Sequence, residues 1–174
     1  DSYELKVSTG STAAWTEGAE DAPAPQISQA TTGSYALRQS GLVRTGSKAF
    51  HLAFPDFEDQ SFTVTREILV GASSQLQYYE RGRFATTTTT FDAEVSTDNG
   101  STWTSVWSRN GVGLSSGLWD SSWLSHSVSL AAYAGKIVQV RFIMRSNGGS
   151  IVVDTTTNSG FFVDDVTITN ATEL

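Results

Sequence analysis

Apolar and polar residues alternate along most of this chain, and the alternation is sharpest between Phe91 and Trp107. That run, FDAEVSTDNGSTWTSVW, breaks at Asp98-Asn99-Gly100 and then resumes, which predicts a β-hairpin. A turn on Asn99-Gly100 alone pairs Thr97 with Thr102 and puts Trp103 and Trp107 on the face of Asp92 and Glu94. A turn that also takes in Asp98, with Gly100 left-handed, pairs Val95 with Trp103 and Phe91 with Trp107. Phe91, Ala93, Val95, Trp103 and Trp107 then share one face. Slipping a strand by one residue exchanges its faces, so the apolar pattern selects the second register.

The same periodicity marks further strands. Tyr3 to Val7 reads as a short one, and residues 8–34, rich in Ser, Thr, Gly, Ala and Pro, read as a long surface connection. Lys48 to Phe54 alternates Phe50, Leu52 and Phe54 against Ala49, His51 and Ala53, which leaves His51 on the polar side. Ser61 to Val70, Leu76 to Phe84, Trp123 to Leu130, Ile137 to Arg145 and Phe161 to Thr169 follow, with a tight corner ended by Gly135. Residues 109–121 form a Gly/Ser loop containing Trp119, which either offers a platform to a ligand or folds back to plug the sandwich. Nine or ten strands without an amphipathic helix predict an all-β fold, an antiparallel two-sheet jelly-roll sandwich. At 174 residues, one domain over 1–174 is expected.

Composition narrows the chemistry. A net charge of −7 argues against a nucleic-acid surface and against an anionic membrane partner. No apolar run approaches the ~18–20 residues of a membrane span, and no signal peptide is visible. The absence of cysteine excludes disulfides, thiolate metal sites and a cysteine nucleophile. Abundant Thr, Ser and Gly with few lysines suits a secreted or cell-surface bacterial domain.

Two resemblances rest on these stretches. Ser96 to Trp103, STDNGSTW, resembles the Asp-box hairpin, in which the aspartate ties down the loop and the tryptophan packs beneath it. The order EVSTDNGSTWTSVW, VSLAAYAGKIVQVRF and GFFVDDVTI is similar to the MAM-like jelly-roll domains of exported bacterial proteins. It also resembles the modules of immune-inhibitor-A-type metalloproteases and the cleaved-adhesin modules of surface proteases. The resemblance spans roughly residues 48–170 and implies a concanavalin-like or galactose-binding-like sandwich, often with structural calcium, in a module of a larger exported protein.

Strand periodicity sets Asp164 on the face of Phe162, Val166 and Ile168, towards the core. An unpaired buried carboxylate costs on the order of several kcal/mol, so it needs a partner. Arg141 is one partner by charge, although its strand parity points it elsewhere. A calcium ion completed by Glu17, Glu20 or Asp21 is another, and the resemblance supports it at GFFVDDV. Backbone amides or a buried water are the third. Any calcium here is structural, since no reacting group stands beside it.

A second set, Tyr79, Arg81, Gln139 and Arg141, is out of phase with the apolar residues of its strands. If those strands share a sheet, an aromatic plane, an amide and guanidinium forks carpet its solvent face, a surface suited to polyhydroxylated ligands. Arg81, Arg83, Arg141 and Arg145 then form a positive island that favours an acidic polysaccharide.

Catalysis has little support. His51 and His126 lie on separate strands and in no H-E-x-x-H or nucleophile-elbow context. Asp92 and Glu94 fall within the ~5–9.5 Å of a glycosidase pair, but no aromatic cleft accompanies them. The sequence thus describes a non-catalytic binding module for a polysaccharide or cell-surface glycan. The alternative is a structural or adhesion spacer that packs against neighbouring domains of its parent protein.

Overall fold

The computed structural model describes residues 15–32, 35–53, 58–113, 120–148 and 159–174. The expected strand at Tyr3–Val7, Trp119 and the Ile151-Val152-Val153 run lie outside the described residues. Among the described residues nine strands follow in order: β1 (Ile27–Ala30), β2 (Arg38–Gln39), β3 (Ala49–Leu52), β4 (Gln60–Arg83), β5 (Thr90–Ser96), β6 (Thr104–Asn110), β7 (Leu124–Ser129), β8 (Ile137–Arg145) and β9 (Gly160–Glu173). All their pairings are antiparallel. The corner before β8 is a single 3-10 turn at Ala131–Tyr133, followed by Gly135 at φ +80, which a side chain would resist.

The two stretches expected as separate strands at 61–70 and 76–84 are one strand, β4, and it holds the fold together. Its first half pairs with β1 and β8. Its second half pairs with β9 and β7. One layer is therefore β1–β4–β8–β5–β6 and the other β2–β3–β9–β4–β7, with hydrogen bonding continuous through β4. The layers face each other through aromatic rings: Phe91 meets Phe161 at 5.0 Å between centroids, Tyr78 meets Phe142 at 4.9 Å, and Phe50 meets Phe62 at 4.2 Å. Alternation explains this, because Phe62, Val64, Ile68, Val70, Leu76 and Tyr78 are all buried along β4. The result is an antiparallel β-sandwich with one core.

Two bulges break the expected parity. The pairing of β9 with β4 shifts between Gln77 and Tyr79, and Asp165 takes φ +51. One extra residue reverses the phase of the strand. Phe161, Val163, Val166 and Ile168 consequently reach the core, while Phe162 and Asp164 point to the opposite face. The core-facing orientation expected for Asp164 is therefore corrected, although the residue is buried, being covered from outside. On that same outer face His51 is fully buried, stacked on Phe162 at 4.2 Å with Nε2 bonded to the Ser159 carbonyl at 2.6 Å. His51 keeps the polar side expected of it, but that side is covered and the exposure a polar side implies is corrected. Burial drives its pKa down to about 4, so it is neutral at physiological pH.

The second bulge lies in the central hairpin. Ala93 pairs with Trp107, but Glu94 pairs with Ser105, so Val106 is the extra residue. Trp107 stays inside, edge-on to Phe91 and Tyr78. Trp103 leaves the core for the outer face, where the Arg141 guanidinium lies 4.3 Å from its ring centre. The hairpin thus takes neither uniform register, and the inward placement expected for Trp103 is corrected. The bulge gives each tryptophan its own side of the sheet.

Candidate functional site

The outer face of the first layer reads directly off its ladders. Ser28, Thr63, Arg141, Glu94 and Ser105 form one cross-strand row. Gln139 and Ser96 begin the next. Thr65 stands one step along β4 from Thr63 on the same face, and the hairpin loop closes the end with Asn99 and Gly100. Ser28, Thr63, Thr65, Gln139 and Arg141 of these rows, with that loop and Trp103, line a shallow open groove of about 350 Å³. Its lining offers hydroxyls, side-chain amides and one guanidinium, and its wall is an indole.

Electrostatics fix the geometry of that floor. Arg141 Nε and Nη2 both donate to Glu94 Oε2, at 2.9 and 2.5 Å. Arg145 donates to Asp92 at 2.7 Å and to Glu94 Oε1 at 2.6 Å. Glu94 and Asp92 are almost entirely buried beneath the two arginines, which compensate carboxylates that would otherwise be costly to desolvate. Tied in this way, Arg141 cannot swing, and its plane holds one face of Trp103. The indole N–H donates to the Gly100 carbonyl at 3.0 Å, which fixes the other end of the ring. The loop is braced in turn by Asp98, which accepts from the Thr102 amide at 2.8 Å, the Thr102 hydroxyl and the Ser96 hydroxyl. Those donors, led by the Thr102 hydroxyl, bring its pKa down to about 2.

Of the four residues expected to share a face, the structure brings two together. Gln139 and Arg141 both line the groove. Tyr79 and Arg81 sit on the half of β4 that pairs with β9 and β7, in the other layer. The Arg44 guanidinium lies 3.3 Å over the Tyr79 ring, and Arg81 donates to the backbone carbonyls of Asp120 and Ser121 at 3.0 and 2.9 Å. The four-residue face is therefore corrected, because one strand serves both layers. The positive island fails for a second reason: Arg141 and Arg145 are matched by Asp92 and Glu94. That pairing also removes the two carboxylates as an acid pair. Trp103, Ser28, Thr63 and Thr65 were missed. The turn on Asn99-Gly100 alone, which sets Trp103 beside Asp92 and Glu94, was the signal for the first of them.

Asp164 finds its partners in the backbone. Its Oδ2 accepts the amides of Arg44 and Thr45 at 3.0 and 3.2 Å, and its Oδ1 accepts that of Asp165 at 2.8 Å. Burial pushes its pKa up to about 6 against the pull of these donors. Glu17 is committed to Arg66 Nε at 3.1 Å, and its backbone bridges to Val166. Glu20 accepts from the Ser47 and Lys48 amides at 2.9 Å each, and Asp21 binds Lys48 at 2.7 Å and Arg38 at 3.0 Å. Glu17, Glu20 and Asp164 border one small cavity of about 240 Å³, with Asp165 and Arg66. Each carboxylate already holds protein donors. Among the described residues no three His, Cys, Asp or Glu side chains converge as a metal-ligand set.

No family model matches the chain, and no curated protein matches it. Solved structures do. The K2 cleaved adhesin domain of Lys-gingipain superposes with a TM-score of 0.61 at 17% identity, covering 91% of this chain and 99% of that one. The K3 cleaved adhesin domain of Lys-gingipain from Porphyromonas gingivalis w83 gives 0.56 at 13% identity, with 89% and 97% covered. These similarities establish the fold, a β-sandwich. A carbohydrate-binding module solved with β-1,4-galactotriose overlays only loosely, with a TM-score of 0.42 at 15% identity, 90% of this chain and 88% of that one.

Proposed function

We propose that this chain is a non-catalytic binding module that holds a glycan in the outer groove of its first layer. One observation carries the reading: Trp103, Gln139 and Arg141 converge with the hydroxyls of Ser28, Thr63 and Thr65 on one open groove. A sugar ring presents C–H faces to an aromatic wall and hydroxyls to amide, hydroxyl and guanidinium groups, and the groove supplies both kinds of surface. Rigidity supports it too, since Arg141 and Trp103 are held before any ligand arrives.

The same proposal extends to the setting. The Asp-box-like hairpin and the MAM-like order of segments favour a domain of a secreted or cell-surface protein, with neighbouring domains as partners. Among the described residues no helix is long and apolar enough to cross a membrane. Structural calcium belongs to this wider proposal only if Asp164 and Glu17 exchange their present partners for the ion.

A second reading, a spacer that docks on a neighbouring domain, has its own observation. Leu69 and Ile137 pair across β4 and β8 and remain 37% and 47% exposed. That is a small apolar patch, well short of a standard protein interface of ~800 Å² per partner. The groove is the better-developed surface.

A glycan array separates the readings. The wild-type domain is expected to bind a restricted set of glycans, and the double variant Trp103→Ala/Gln139→Ala to lose them while melting within a few degrees of wild type. Binding that survives the double variant, or an array without a hit, refutes the groove.

A further inference from the structure

We infer that this groove, taken as the glycan site proposed above, selects uncharged chains and rejects polyanionic ones. The inference rests on that reading and adds the chemical class of the ligand.

Charge neutrality is built into the floor. Two guanidinium groups, Arg141 and Arg145, stand on the outer face of β8, and two carboxylates, Asp92 and Glu94, stand beside them on β5. The four groups form three charge-assisted contacts, Arg141 with Glu94 and Arg145 with both Asp92 and Glu94. A carboxylate on an incoming uronic acid needs a guanidinium fork, two parallel N–H donors offered together. Arg141 has already committed its Nε/Nη2 edge, which converges on Glu94 Oε2, and Glu94 offsets the charge carried by its remaining N–H groups. Only Nη1 has no hydrogen bond among the described residues. N–H groups this close to a buried carboxylate serve a hydroxyl better than an anion.

The surroundings point the same way. Asn99 and Gln139 also border a neighbouring hollow in which Glu67 and Asp98 stand. Asp98 is exposed and ionised, and the chain as a whole carries −7. A polyuronate lying along the groove approaches acidic groups with no free cation among the described lining residues to offset them. The remaining lining (Ser28, Thr63, Thr65, Gln139) offers neutral donors and acceptors suited to ring hydroxyls.

The test compares matched oligosaccharides by isothermal titration: galactan, xylan and mannan fragments against polygalacturonate and alginate fragments of equal length. At least one neutral series is expected to bind at the groove, with an affinity insensitive to salt, and the uronates to bind more than about tenfold more weakly. Glu94→Gln removes the competing charge while keeping the acceptor that holds Arg141, so it is expected to raise uronate affinity by about tenfold. If that variant does not fold, the salt series on wild type still decides, because an anionic ligand held by guanidinium weakens steeply as salt rises. Tight, salt-sensitive uronate binding that Trp103→Ala abolishes overturns the neutral selectivity but keeps the groove as a glycan site. Binding of no fragment, or binding untouched by Trp103→Ala, overturns both.

Discussion

Replacing Asp164 by Asn should change the shape of the stability–pH curve more than its height. Two buried groups titrate across the same acidic range with opposite signs. Asp164 has a pKa near 6 in the native state against an ordinary value of 3.8, so the native protein binds the extra proton between these limits. Its contribution is fully present below pH 3.8 and lost as pH rises through 6. His51 has a native pKa near 4 against an ordinary 6.5, so the unfolded chain binds the extra proton. Its contribution is present above 6.5 and lost as pH falls through 4. A tenfold change in proton affinity is worth ~1.4 kcal/mol, so each group contributes about 3 kcal/mol across its window, and the two nearly cancel. Urea unfolding of wild type in chelator-treated buffer should therefore vary by less than about 1 kcal/mol between pH 4 and 6 from these groups. Asp164→Asn removes the contribution that falls with pH, so the variant should gain about 2 kcal/mol over the same interval as pH rises. A variant curve parallel to wild type would refute the reasoning, because it would mean that Asp164 titrates at its ordinary value despite its burial.

Trp107→Ala should cost about 3 kcal/mol in urea unfolding, since its ring packs on Phe91, Tyr78 and His126, whereas Trp103→Ala should cost about 1 kcal/mol. Equal losses would contradict the bulge at Val106. Gly160→Ala should cost at least ~3 kcal/mol by thermal or urea unfolding, because φ is +92 and the new Cβ would lie 2.4 Å from the Leu52 carbonyl oxygen. A loss below ~1 kcal/mol would show that β3 and β9 can part at this point. Chelation should leave the melting temperature unchanged if the amides of Arg44, Thr45 and Asp165 are the working partners of Asp164. A chelator-dependent fall that Asp164→Asn abolishes would instead establish calcium there.

Much of the sandwich was legible because strand alternation is a local property. Val138, Val140, Phe142 and Met144 alternate inward along β8 as their spacing requires, and all four are buried. Phase, by contrast, is lost wherever one residue is inserted. Neither Val106 nor Asp165 announces a bulge, although aspartate tolerates positive φ better than a branched residue does. Those two insertions moved Trp103 to the outside and Asp164 away from the core. Pairing is equally hidden: nothing in Leu76 to Phe84 says that it continues an earlier strand into a second layer, and so Tyr79 parted from Gln139. β1 went unseen within the 8–34 connection because ISQA has too little alternation to register. Half of the groove was readable from parity on β8. The other half came from strands brought alongside by the fold.

The most direct test of the glycan groove is a backbone and indole NMR titration of the folded domain with whichever neutral oligosaccharide the array selects. The account predicts that shifts concentrate on the Trp103 indole N–H, the Gln139 side-chain amide, and the amides of Ser28, Thr63, Thr65 and Gly100, with Tyr79 and Arg81 unmoved. Shifts centred on the second layer around Tyr79 and Arg44, or on Leu69 and Ile137, with the Trp103 indole unchanged, would contradict it.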